Sequence, residues 1–134
     1  MKTHITKIRT RYGEVDQMGY VYHANYVSYC HEARTELMRN YGINDHVLEA
    51  NNIMLPVVRF NIDYKNAAHY DELLTVETTL TEVKGPKMKF EFKIINEQGK
   101  VVCKACSVVA FVTANTRKPI RVPEIVKEAF GIEK

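Results

Sequence analysis

One long helical period is followed by four strand-like runs, and that imbalance leaves few architectures open. Over residues 24–41 the apolar side chains recur at Tyr26, Cys30, Ala33, Leu37 and Tyr41, which places them on one face of a helix. Arg39 near its end and Gly42 just beyond are C-terminal signals. Residues 3–11, built around Ile5 and Ile8, read as a first strand, and residues 54–64, 73–83, 87–96 and 101–113 as four more. Met88, Phe90, Phe92 and Ile94 alternate with Lys87, Lys89, Glu91 and Lys93, the period of a strand with one buried face. Short turns at residues 84–86 and 97–100 make the last three strands consecutive antiparallel hairpins. One amphipathic helix cannot bury the apolar face of such a sheet unless the sheet curls around it. The expected fold is therefore α+β, a long central helix wrapped by a curled antiparallel sheet of about five strands. Strands this long leave long edges, which invite pairing with a second copy.

The remaining stretches are short. Asn44 or Asp45 can cap a small second helix, and Pro123 and Gly131 bracket a final one at the end of a basic tail. A chain of 134 residues with no internal repeat or linker reads as a single domain over 1–134. An apolar fraction of 46% against 26% charged argues for a packed core rather than disorder. The formal charge of +3 is too small for a dedicated nucleic-acid binder. The first residues lack an apolar leader and no run approaches membrane-spanning length, so a cytoplasmic location is expected. Cys103 and Cys106 form a C-x-x-C, yet on a strand they point to opposite faces, and no second pair exists to complete a zinc site. They read, with Cys30, as reduced thiols acting as small hydrophobes, and no metal is expected.

Chemistry concentrates in the loop that leads into the long helix, Asp16-Gln17-Met18-Gly19-Tyr20-Val21-Tyr22-His23-Ala24-Asn25-Tyr26. A carboxylate sits beside a helix start whose backbone N–H groups are unpaired. The carboxylate can activate a nucleophile, and the N–H groups can hold charge developing on a carbonyl oxygen. Taken by itself, Asp16 reads first as a loop aspartate that bonds its own turn.

That stretch, with Glu32-Ala33-Arg34-Thr35-Glu36 after it, resembles the hotdog-fold acyl-CoA thioesterases of the 4-hydroxybenzoyl-CoA thioesterase and Tol–Pal-associated (YbgC-type) family. The pattern D-x-x-G-x-V-Y/F-x-x-x-Y is matched position by position. The resemblance implies hydrolysis of an acyl-CoA to free acid and coenzyme A. It places the general base or nucleophile at Asp16 and the carbonyl-polarising backbone N–H at His23, whose imidazole either meets substrate or only packs. Tyr12, Gly19, Tyr22 and Asn25 fall on positions that line or brace the pocket. The family commonly has Arg-Gly followed by serine or threonine where this chain has Lys84-Gly85-Pro86-Lys87. Lys84, Lys87 and Arg117, together with Lys118 and Arg121, are candidates for the phosphates of the coenzyme A nucleotide or simply a solvated basic face. Coenzyme A is part of the substrate, so no separate cofactor is expected. The resemblance also implies that the thioester can be carried by an acyl-carrier protein, and that a homodimer or homotetramer with the site between subunits is the expected working form.

Other side chains near the motif read more plainly. His31 and Glu32 lack the second histidine of a zinc-protease helix and belong to a solvated or interface face. Arg34 and Glu36 read as charges of the helix surface or a subunit contact. Tyr20, Tyr22, Tyr26 and Tyr29 read as core and interface, with one or two free to line an acyl pocket. Two other functions are open to such a chain. A hotdog dehydratase or hydratase would need a histidine–carboxylate pair over the α and β carbons, and a non-catalytic acyl-CoA or acyl-carrier-protein binding module would release no thiol.

Overall fold

In a computed structural model that describes residues 2–132, the chain runs through β1 (Lys2–Arg9), a 3-10 turn (Tyr12–Glu14), α1 (Asn25–Asn40) and α2 (Asp45–Ala50). It continues through β2 (Ile53–Met54), β3 (Val57–Tyr64), β4 (Leu73–Lys84), β5 (Lys87–Ile95), β6 (Val101–Ala110), β7 (Val112–Thr113) and α3 (Glu124–Phe130). Five strands form one antiparallel sheet in the order β1-β4-β5-β6-β3, and β2 and β7 make a small second pair.

The alternation in the sequence becomes the two faces of that sheet. Leu74, Val76 and Leu80 of β4 and Met88, Phe90, Phe92 and Ile94 of β5 are buried against the stripe Tyr26, Cys30, Ala33 and Leu37 of α1. Register shifts at Leu80/Glu82 in β4, Ile94/Ile95 in β5 and Val57/Arg59 in β3 let the sheet bend around the helix. Cys30 and Cys103 lie in the core while Cys106 on the opposite face is half-buried, and all three are free thiols. Burial pushes Cys103 up to about 12.

Two runs expected as single strands are interrupted. Residues 54–64 divide at Pro56, which has no N–H for the ladder and instead accepts from Ala110 N at 3.1 Å. Residues 101–113 divide at Phe111, whose N–H turns to Pro86 O at 2.8 Å while its carbonyl accepts from Ile120 N. Asn44 caps α2 through Val47 N at 3.0 Å. Pro123 precedes α3, and Gly131 ends it with φ at +65°. Among the described residues no helix is long and apolar enough to cross a membrane.

Candidate active site

The loop between β1 and α1 folds back on itself around Asp16. Its N–H donates to Tyr20 O at 2.7 Å, and its carbonyl accepts from Gly19 N at 3.0 Å. Oδ1 accepts from Met18 N at 2.8 Å and from Tyr20 N at 3.2 Å. Gly19 sits at φ +81°, a backbone conformation that a side chain would strain, although nothing lies within 4 Å of where its Cβ would be. The turn-bonding reading of Asp16 and the catalytic one are thus compatible, because they use different oxygens. Oδ2 has no partner among the described residues, and the carboxylate is only half-buried.

Glu14 fastens this loop to the helix. Its backbone carbonyl accepts from Tyr22 N at 2.8 Å and from Asn25 Nδ2 at 2.8 Å. Its carboxylate oxygen Oε1 accepts from Arg11 N at 2.7 Å and from the buried Tyr29 hydroxyl at 2.8 Å. Burial first, and the neighbouring Glu14 carboxylate second, push the Tyr29 hydroxyl far above the ordinary tyrosine range. Asn25 thereby ties the loop to the first turn of α1. Glu14 carries no local motif; its partners at positions 22, 25 and 29 meet it only after the loop has closed on α1.

The helix starts later than the motif suggests. α1 begins at Asn25, with Ala24 as its cap, so His23 lies in the turn before it. Asn25 N donates to Tyr22 O and Tyr26 N to His23 O, which extends the turn upstream without making His23 helical. The N–H groups of His23 and Ala24 take no acceptor among the described residues, as expected just ahead of a helix. The His23 ring is exposed, 4.6 Å from the Tyr22 ring and edge-on to Tyr64 at 6.1 Å. Tyr64, at the end of β3, donates its hydroxyl to His23 O at 3.2 Å. That residue lies 41 positions away, beyond the reach of any motif.

The other expected site residues fall in three places. Tyr12 is exposed and stands edge-on to Tyr70 at 5.6 Å, on the rim of the same loop. Tyr20 and Tyr22 are exposed, whereas Tyr26 and Tyr29 are core. Lys84, Lys87 and Arg117 are not brought to Asp16 within one chain. The Asp16 loop lies at the Leu73 end of β4, where Thr10 N meets Glu72 O at 2.9 Å, and Lys84 lies at the other end. The twelve residues of β4, roughly 36–40 Å measured along an extended strand, lie between them. Lys84 and Lys87 border a groove of about 320 Å³ on the outer sheet face with Arg59, Glu82 and Lys89, while Arg117 lies near the same end in the turn after β7. Arg59 and Lys89 complete this basic patch, a grouping visible only once β3, β5 and β6 are in register.

Arg34 is a correction to its helix-surface reading, since it is 7% exposed within the chain. It lies one turn beyond Cys30 on the side of α1 that faces β3. Among the described residues no group of three or more His, Cys, Asp or Glu side chains is placed to hold a metal ion.

Against known proteins, the model of the thioesterase-like superfamily matches residues 10–130. YneP of Bacillus subtilis (strain 168) is 38% identical over 120 residues, 88% of this chain and 87% of that protein. The acyl-CoA thioesterase YbgC of Haemophilus influenzae is 37% identical over 124 residues, 92% of this chain and 90% of that protein. Among solved structures, a DHNA-CoA thioesterase from Staphylococcus aureus superposes with a TM-score of 0.92 at 29% identity, covering 98% of this chain and 90% of that one.

Proposed function

The chain belongs to the thioesterase-like superfamily, and we propose that its acyl-CoA thioesterase site is built on Asp16. It hydrolyses an acyl-CoA thioester to the free acid and coenzyme A. The observation that carries the site assignment is the division of labour within one carboxylate: Oδ1 is held by two backbone N–H groups and Oδ2 is free, in the same loop whose His23 and Ala24 N–H groups are unpaired ahead of the helix. With the thioester carbonyl oxygen on the His23 N–H, charge developing on that oxygen is stabilised. Water then attacks the carbonyl carbon and gives its proton to Asp16. The carbon–sulfur bond breaks, and the departing thiolate takes that proton. The alternative route uses the same geometry, with Oδ2 attacking directly to form an acyl anhydride that water opens. Label from ¹⁸O water in the Asp16 carboxylate after a single turnover marks the second route, with water opening the anhydride at the Asp16 carbonyl.

The working unit in this reading is a dimer, alone or paired into a tetramer, of single-domain chains acting in the cytoplasm. Of the two sheet edges, β1 is blunted by Lys2, Lys7 and Arg9, while β3 exposes Val57, Val58 and Tyr64. Antiparallel pairing of β3 with its own copy sets the Tyr64 end of one protomer beside the Val57 end of its partner. The Asp16 loop of one chain then approaches the Lys84, Lys87 and Lys89 end of the other, which supplies cations for the phosphates of coenzyme A. An acyl-carrier protein is the other carrier of the same thioester. No separate cofactor enters the scheme.

The test is thiol release from a panel of acyl-CoA thioesters by the purified protein, with hydration of an enoyl-CoA assayed beside it. Thiol release without hydration supports the reading. Hydration without thiol release would make the chain a hydratase, and tight binding with neither would make it a carrier module.

A further inference from the structure

A small apolar cavity of about 150 Å³ lies along the seam between α1 and β3, walled by Val27 and Cys30 of the helix, Phe60 of β3 and Phe92 of β5. Three polar side chains interrupt that wall, His31, Arg34 and Ser107, and the last two are only 7% and 3% exposed. Arg34 Nη2 donates to His31 Nδ1 at 2.9 Å, which requires a neutral imidazole with its proton on Nε2. Arg34 Nε and Nη1 and the Ser107 hydroxyl take no partner among the described residues. The one sealed, unpartnered side-chain polar atom among those residues is Thr78 Oγ1, so these free groups border open volume instead.

A guanidinium buried this far with no carboxylate in contact is costly; Asp45 acts on Arg34 only through space, and the free side of the fork can take an anion to complete it. No ion pair within 4.0 Å is made by Arg34 among the described residues. Asp45 and Glu49 line a different and larger cavity of about 430 Å³ on the far side of Arg34. Their charges repel an anion there and leave the small cavity, which has no acidic wall, as its place. That cavity is also where an acyl chain would run. Val27, in the first turn of α1, lies four residues beyond His23, and Phe60 shares a face of β3 with Tyr64, whose hydroxyl bonds His23 O.

We propose that this cavity selects acyl groups ending in a carboxylate, with Arg34 and Ser107 binding that far end. The inference rests on the thioesterase reading, since it assumes a thioester carbonyl near His23. Hydrogen bonds to a charged group at a buried site correspond to about 10- to 100-fold in affinity. Succinyl-, glutaryl- and adipyl-CoA are therefore each compared with the saturated monoacyl thioester of the same carbon count, by kcat/KM. The parent enzyme is expected to favour at least one diacid over its neutral counterpart by tenfold or more. Arg34→Met should erase that preference while keeping hydrolysis of the neutral thioester within about threefold, and Arg34→Lys, which keeps the charge without the fork, should retain part of it. An indifferent parent enzyme overturns the proposal, as does an Arg34→Met variant that loses both substrates equally or dissociates the dimer, which would place Arg34 in the subunit contact. If Arg34→Met fails to fold, the parent ratio and Ser107→Ala, expected to narrow it, decide the matter. If the parent hydrolyses no thioester at all, the thioesterase reading fails separately, and calorimetric binding of the same matched pairs still decides whether the cavity prefers the carboxylate.

Discussion

Oδ1 of Asp16 is committed to the Met18 and Tyr20 N–H groups, and that commitment aims Oδ2. A carboxylate free to rotate would lose the orientation that general-base or nucleophilic attack requires. In the proposed mechanism His23 acts through its main chain, and its imidazole is packed against the Tyr22 and Tyr64 rings and open to solvent. His23→Ala is accordingly expected to keep the shape of the pH–rate profile and most of kcat. Disappearance of a limb near neutral pH in that variant would instead make the imidazole a titrating participant. Asp16, Gly19 and Asn25 were all legible from the motif, since each acts within its own loop or the first turn of the helix. Glu14, Tyr64 and Arg34 were not. The first two act through partners far along the chain, and an arginine on an amphipathic helix is ordinarily a surface charge.

At the level of elements, the site depends on how firmly the β1–α1 loop is tied to α1. Glu14 makes that tie through Tyr29 with its carboxylate and Asn25 with its carbonyl, and it braces the loop internally through Arg11 and Tyr22. Glu14→Ala removes only the carboxylate bonds and leaves the buried Tyr29 hydroxyl unpaired, at a cost of about 1–3 kcal/mol. The expected result is a lower melting temperature and a kcat that falls more than KM rises, because the loop that orients Asp16 loosens. An unchanged kcat would detach the loop's rigidity from the chemistry. The helix and the three hairpin strands were legible because burial imposes a period of about 3.6 or 2 on the residues that carry it. The breaks at Pro56 and Phe111 were not, since the missing N–H and the diverted one matter only against the strands they would have joined.

For the whole molecule, Asp16 and the Lys84–Lys87 turn lie at opposite ends of β4, so the proposed nucleotide role of those lysines would need two copies for one site. An Asp16→Asn chain mixed with a Lys84→Glu, Lys87→Glu chain should regain about a quarter of the parental rate at limiting substrate, since half the dimers are mixed and each has one intact site. No recovery on mixing would place the nucleotide contacts elsewhere. Stability at high pH reports on the shared core. Burial raises Cys30, Cys103, Tyr26 and Tyr29 above their ordinary values of 9.0 and 10.0, so the unfolded chain releases these protons before the folded one does. Stability from these groups is whole below about pH 9 and declines as pH climbs toward 12. A melting temperature that is level from pH 7 to 8.5 and falls beyond pH 9 is expected.

The most direct measurement is the turnover number of Asp16→Asn on an acyl-CoA that the parent hydrolyses, with circular dichroism and oligomeric state matched between the two. Asparagine keeps an acceptor for the Met18 and Tyr20 N–H groups while removing the base and the nucleophile. The account predicts a fall in kcat of at least about 100-fold in a correctly folded protein. Near-parental turnover by that variant would contradict it and move the chemistry away from Asp16.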